Sequence, residues 1–326
     1  MIALGIEGTA HTVGVGIVQD EPPRVLSNEM RMYRPAAGGI HPRDAANHHA
    51  AVLVDAVEDA LDAARVDVDA VDLVGFSMGP GLGPCLRTAA TAARSLALHL
   101  DVPLLGVNHC IAHLEVGRAM TDAEDPVLLY VSGGNTQVIA FLNGRYRVFG
   151  ETLDIGIGNC LDKFGRELDM AFPAGPRVEK LARRGERYLE LPYSVKGMDV
   201  SFSGILTAAL ALVDGNVADV CYSLQETCFA MLTEVTERAM AHTGKDEVLL
   251  GGGVASNHRL QDMVTEMAVA REGSCHVPRG DLLVDNGAMI AWTALLMHRA
   301  GVQMDVADTS VRQRYRTDEV DVVWRG

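Results

Sequence analysis

The apolar positions of this chain fall into a pattern that occurs twice. "IALGIEGTAHTVGVGIVQ" reads as a strand, a Gly/Thr-rich turn and a second strand, and "PRVLSNEMRMY" supplies a third. Helical spacing takes over at about 43–65, introduced by Pro42. An apolar strand at 71–78, a helix at 86–100, a short strand at 103–107 and a helix at 109–120 follow. At Pro126 the pattern begins again. "PVLLYVSGGNTQVIAFLNGRYRVFGE" is strand, Gly-rich turn, strand, an Asn143-Gly144 hairpin turn and a third strand. Helices at 159–171, 176–185, 203–213 and 217–243, the strand "EVLLGGG", a helix from Asn257, the strand "SCHVP" and a helix from Asn286 complete it. Two such copies predict a duplicated α/β fold. Its lobes would be 1–125 and 126–326, packed across a cleft.

Composition narrows the class without naming a chemistry. The apolar fraction of 48% and charged fraction of 22% are those of an ordinary globular protein. No apolar run is long enough to span a bilayer and no basic region opens the chain, so a cytoplasmic protein with no membrane partner is expected. The six cysteines form no C-x-x-C pair and read as reduced thiols. A net charge of −15 argues against nucleic-acid binding by bulk electrostatics, leaving such contacts to local basic patches or partners.

Small-residue turns stand at corresponding places in the two copies, "EGTAHT" (7–12) and "SGGNT" (132–136), and a third, "GGGVASN" (251–257), lies between a strand and a helix. Each is weak evidence alone. Together they suit backbone approach to an anionic ligand. The arrangement resembles the superfamily of actin, hexokinase and the DnaK-type chaperones, whose lobes clamp a nucleotide. A P-loop is absent, and "GPGLGP" (79–84) reads as a tight strand-to-helix turn rather than a dinucleotide site.

In "NHCIAHLEVG" the imidazoles of His109 and His113 are one helical turn apart, a spacing that serves core packing or capping as well as a metal. A zinc protease of the H-E-x-x-H type is disfavoured, because Cys110 stands where the catalytic glutamate would be and Glu115 lies on another side of the helix. Tyr130, ending a strand, and Asp285, ahead of a helix, are the further candidate ligands of a mixed N/O site for iron or zinc. Asp before an apolar helix is equally an N-cap.

"GIEGTAHT", "GGIHPRDAANHHA", "HCIAH", "YVSGGNTQ", "LDKFGRELD", "GGGVASN" and "DNGAMIAW" together resemble the TsaD family in its archaeal and eukaryotic form, over nearly the whole chain. The resemblance implies transfer of a threonylcarbamoyl group, from threonylcarbamoyl-AMP, to the adenosine beside the anticodon in tRNAs reading codons that begin with A. It implies one metal, iron or zinc, on His109, His113, Tyr130 and Asp285. It places nucleotide phosphates, of ATP or the adenylate, on Tyr130, Val131, Ser132, Gly133 and Gly134, with Asp162, Gly175, Glu179 and Asn257 lining the rest. Partners would be tRNA and the KEOPS complex, with its small kinase and dimerising subunits. Thr9 and His11 are either phosphate donors or plain turn residues, and no side chain declares itself as a general base.

Two other classes stay open on the residues: a small-molecule kinase of the same superfamily, for which Glu7 replaces the usual Asp of the first turn, and a non-enzymatic ATP-binding module. For RNA, the basic candidates are Arg177, Lys180, Arg183, Arg184 and Arg187, and a tail rail of Arg312, Arg314 and Arg316 on one face of an extended strand.

Overall fold

The structure, a computed structural model, describes residues 1–35, 38–213 and 215–325. In chain order the strands and helices are β1 (Ile2–Glu7), β2 (Thr12–Gln19), β3 (Arg24–Met32), α1 (Pro42–Ala64), β4 (Leu73–Gly79), α2 (Gly83–Leu100), β5 (Leu104–Asn108) and α3 (His109–Met120). Then come β6 (Val127–Val131), β7 (Thr136–Leu142), β8 (Arg145–Glu151), α4 (Ile157–Arg166), α5 (Gly175–Ala182), β9 (Val195–Lys196) and β10 (Asp199–Val200). Helices α6 (Ser203–Ala211) and α7 (Val217–Thr243), strand β11 (Glu247–Gly251), α8 (His258–Ala270), β12 (Ser274–His276), α9 (Gly280–Leu283) and α10 (Gly287–Arg299) finish the chain order.

One five-stranded sheet has the order β3-β2-β1-β4-β5 and the other, read from its far edge, β8-β7-β6-β11-β12. In both, an antiparallel meander pairs through its first strand with a parallel βα extension. The expected duplication is therefore present. The helix expected at 159–171 ends earlier, at Arg166, where Asp169 takes a left-handed backbone in the turn beyond it. Among the described residues no helix is long and apolar enough to cross a membrane.

The expected division at residue 125 is not the one observed. One unit comprises Met1–Met120, Asn143–Tyr146 and Val284–Gly326; the other comprises Thr121–Leu142 and Arg147–Leu283. The last helix is the reason. Helix α10 is buried along most of its length and packs on β1, β2 and α3 of the first unit. Its approach is backbone to backbone: a side-chain carbon on Gly16 would stand 2.1 Å from the amide nitrogen of Ala288. Only glycine leaves room for that contact. The effect is to set the residues just before α10 beside the start of α3.

The C-terminal segment is tied into the same unit. Arg312 N donates to Met78 O at 2.8 Å, and Arg94 Nε donates to the buried Thr309 hydroxyl at 2.8 Å. Residues 313–314 form a turn, so the extended strand expected there is absent. Arg312 lies over the Tyr315 ring at 4.7 Å and Arg316 pairs with Asp318 at 2.9 Å. Two of the three arginines of the expected rail thus face partners in their own chain.

Candidate functional site

Helix α3 starts directly after β5, with Asn108 Oδ1 accepting from the amides of Cys110 and Ile111 at 3.0 and 3.3 Å. That anchor fixes the first turn, and with it the histidine pair. Both imidazoles are buried, with centroids 4.9 Å apart and rings near perpendicular at 86°. Asp285 comes from the loop before α10, and its Oδ1 lies 3.4 Å from Nε2 of His109 and 3.4 Å from Nε2 of His113. These three residues form a group whose ligand atoms all lie within 4.8 Å of one another.

Asp285 does not cap α10. Asn286 does, its Oδ1 accepting from Met289 N at 2.9 Å. The carboxylate is thereby released from the helix start and faces the imidazoles. Burial lowers the His113 pKa, which favours a neutral ring.

Glu7, fully buried at the end of β1, decides the state of His109. Its Oε2 lies 3.0 Å from His109 Nδ1, while its Oε1 accepts from Thr9 N at 2.7 Å and from the Thr9 hydroxyl. A carboxylate at Nδ1 selects the tautomer with hydrogen there and leaves the lone pair of a neutral ring on Nε2. That lone pair points at the Asp285 oxygen. Two electron-rich atoms at 3.4 Å are compatible with a cation between them. Their separation is also the edge of a tetrahedron with bonds of about 2.1 Å, the usual length for nitrogen and oxygen ligands of zinc. The donor set fits a divalent cation.

Among the described residues, Glu115 is not free to act as a protease base. Glu115 is buried and accepts from Trp324 Nε1 at 2.7 Å, from Arg118 Nη1 at 2.8 Å and from the Tyr146 hydroxyl. Burial raises the Cys110 thiol to about 11, so it is a thiol at neutral pH. Thr9 spends both its donors on Glu7, so the plain turn reading holds for it. Sequence reading missed the contact of Glu7 with His109; its only signal was a carboxylate closing an otherwise apolar strand.

Tyr130 and the expected nucleotide residues from Val131 to Asn257 belong to the second unit. Tyr130 is buried on β6 and is described with that unit. The turn after β6 is closed by Asn135 N donating to Ser132 Oγ at 3.1 Å. The first amides of α4 are consumed here: Ile157 N donates to Thr136 Oγ1, Gly158 N to Ser132 O and Asn159 N to Gly133 O. Gly133 and Gly134, within this turn, are exposed. Gly252 sits beside the end of β6, with a left-handed backbone at φ 92°. Asn257 caps α8 through Oδ1 and donates from Nδ2 to Gln225 Oε1 at 2.9 Å, so both its polar atoms are committed.

Asp162 and Glu179 are not solvated helix charges. Asp162 Oδ1 accepts from Ala174 N at 2.7 Å, which sets the start of α5 at Gly175. Glu179 Oε1 accepts from Arg183 at 2.6 Å and lies 3.2 Å from His258 Nδ1. These bonds draw α5 and the start of α8 to one carboxylate.

Comparison with known proteins agrees with these findings. The sequence profile of the family described as TsaD, tRNA N6-adenosine threonylcarbamoyltransferase, matches residues 24–292. The chain is 58% identical over 327 residues to the tRNA N6-adenosine threonylcarbamoyltransferase of Thermococcus kodakarensis, covering 99% of this chain and 100% of that one. It is 56% identical to a probable bifunctional tRNA threonylcarbamoyladenosine biosynthesis protein of Thermoplasma acidophilum, covering 99% of this chain and 61% of that one. Among solved structures, T. kodakarensis HypF aligns with TM-score 0.65 at 16% identity, over 90% of this chain and 47% of that one. A 2-hydroxyisocaproyl-CoA dehydratase activator from Clostridium difficile aligns with TM-score 0.54 at 10% identity, over 94% and 99%. At those identities the likeness is one of fold.

Proposed function

The chain belongs to the TsaD family and shares its activity, threonylcarbamoyl transfer to N6 of a tRNA adenosine, and we propose that it works through a metal site on His109, His113 and Asp285. The observation that carries the metal reading is the convergence of two imidazole nitrogens on one Asp285 oxygen, with Glu7 setting the tautomer of His109. Family resemblance alone adds Tyr130 as a further ligand, and iron or zinc as the metal. The small-molecule kinase and the non-enzymatic module, open on the residues, give way to the transferase because full-length relatives carry that activity.

We propose that the nucleotide part of an adenylate donor, or ATP, binds the second unit. The exposed turn at Gly133 and Gly134 supports phosphate contacts there, as backbone donors at a glycine turn do. Asp162, Gly175, Glu179 and Asn257 would line the remainder. When bound, a divalent cation supplies positive charge to a substrate oxygen. The chain's own contribution is positioning. An aromatic amine is a weak nucleophile, and holding it in line with the donor supplies much of the rate. Glu7 holds the His109 ring, Asn286 holds the helix start behind Asp285, and Ser132 closes the turn beneath Gly133 and Gly134. Work in the cytoplasm beside KEOPS subunits, including a small kinase and a dimerising subunit, completes the reading.

Elemental analysis of the purified chain tests the site. The expected result is one iron or zinc per wild-type chain and none in the His109→Ala/His113→Ala variant. Equal metal in both would remove the site.

A further inference from the structure

The second unit carries a strip in which a cluster of basic side chains runs into two tyrosines seated on α7. Between residues 177 and 196 stand six basic and three acidic side chains, in a chain whose net charge is −15. From Glu186 to Tyr193 the backbone runs along α7. The amides of Glu186 and Arg187 donate to Asp219 Oδ1 at 2.9 and 3.1 Å, and Leu189 N donates to Ser223 Oγ at 2.7 Å. Tyr188 shares a hydrogen bond with the Thr227 hydroxyl at 2.9 Å, and the Tyr193 hydroxyl donates to Glu234. Asp219, Ser223, Thr227 and Glu234 recur at helical spacing along one side of α7. Gly185 makes the close start of this path possible, since a side-chain carbon there would stand 2.7 Å from Ala218 O.

The two tyrosines are anchored by their hydroxyls, yet each leaves half its surface open, 51% for Tyr188 and 52% for Tyr193. Their anchor points are two turns of α7 apart, about 11 Å at 1.5 Å per residue. A buried face and a pinned hydroxyl would suffice for structure; two open rings held in place are what a base stacks on. Beside them Arg177, Lys180, Arg184 and Arg187 are exposed and make no ion pair among the described residues, whereas Arg183 is paired with Glu179. The C-terminal arginines offer less, since Arg312 lies on Tyr315 and Arg316 pairs with Asp318.

We propose that this strip grips single-stranded nucleotides of the substrate RNA, with Tyr188 and Tyr193 stacking on bases and Arg184 and Arg187 holding phosphates. The proposal rests on the tRNA activity of the preceding reading. Base–aromatic stacking on each ring contributes roughly 1–3 kcal/mol, on the order of fivefold to a hundredfold in affinity. Each phosphate held on a single strand adds about 0.7 to the slope of log affinity against log salt.

The experiment titrates the full chain with an unmodified tRNA transcript at several salt concentrations. Tyr188→Leu/Tyr193→Leu is expected to weaken binding about tenfold or more, and Arg184→Gln/Arg187→Gln to reduce the salt slope by about 1.4. Both variants should keep wild-type metal content. Asp285→Asn should keep wild-type RNA affinity, which separates failure of this strip from failure of the metal reading. A 5-bromouridine transcript irradiated with the unaltered wild-type chain should crosslink at Tyr188 or Tyr193, independent of any variant's folding. Wild-type affinity and slope in both variants, crosslinks confined to other segments, or no RNA binding by the wild-type chain would each overturn the proposal. Unchanged RNA binding would leave the strip to a protein partner.

Discussion

Glu7 Oε2 lies 3.0 Å from Nδ1 of His109, 102 residues further along the chain, and both side chains are buried. The contact turns His109 so that Nε2 faces Asp285. Glu7→Gln keeps the shape and removes the charge that favours hydrogen on Nδ1. Loss of such an outer partner typically costs about 10–100-fold in metal affinity. Competition with a chelator of known affinity should show that loss, with near-UV circular dichroism unchanged. Wild-type affinity would mean that Glu7 has no part in holding the ring.

Asn286, rather than Asp285, caps α10. Asn286→Ala should therefore lower stability by about 1 kcal/mol, the usual worth of a side-chain cap. Asp285→Asn should melt like wild type when both are metal-free. Denaturant titration of the two apo variants decides this, and equal loss in both would return the capping role to Asp285.

Gly16→Ala would push a carbon to 2.1 Å from Ala288 N. Because that neighbour is buried backbone, the cost should reach at least about 3 kcal/mol. Metal should be lost as well, since α10 and the loop carrying Asp285 would move. Gly204→Ala is the control: a side-chain carbon there meets nothing within 4 Å, so stability should be unchanged or rise by up to about 1 kcal/mol. Comparable loss in the two variants would contradict the close approach of α10.

Burial pushes the His49 pKa down to about 4, against the upward pull of its bond to Ala10 O. The sign follows from linkage. Between pH 6.5 and 4 the unfolded chain binds a proton that the folded chain refuses, so stability falls as pH falls through that window, by about 1.4 kcal/mol per unit. Neighbouring His48, also lowered by burial, adds in the same direction. His49→Gln should flatten the acid limb of a melting-temperature profile between pH 7 and 5. An identical limb in the variant would assign the acid sensitivity to other groups.

Much of the fold and part of the site were legible because the signals are local. Helix α3 follows from the spacing of His109 and His113 with their apolar neighbours, and the repeated meander follows from alternation around Gly-rich turns. What escaped depends on long-range packing. That α10 joins the first unit is set by Gly16 meeting Ala288, positions 272 residues apart, and no periodicity encodes it. The choice between Asp285 and its neighbour Asn286 as cap depends on one backbone turn. The tail arginines alternate in sequence as a strand would, but Arg312 N bonds to Met78 O and a turn follows. In sequence Glu7 reads as a phosphate-turn residue; its role beside His109 depends on the end of β1 meeting the start of α3.

The most direct measurement is Asp285→Asn, assayed for bound metal and for threonylcarbamoyladenosine formed on tRNA, with partner subunits supplied. An amide is a much poorer ligand than a carboxylate for a hard or borderline cation. The account predicts a variant that folds as stably as metal-free wild type, holds no stoichiometric metal and forms no product. A variant that keeps wild-type metal content and wild-type transfer would contradict the assignment of His109, His113 and Asp285 as the metal site.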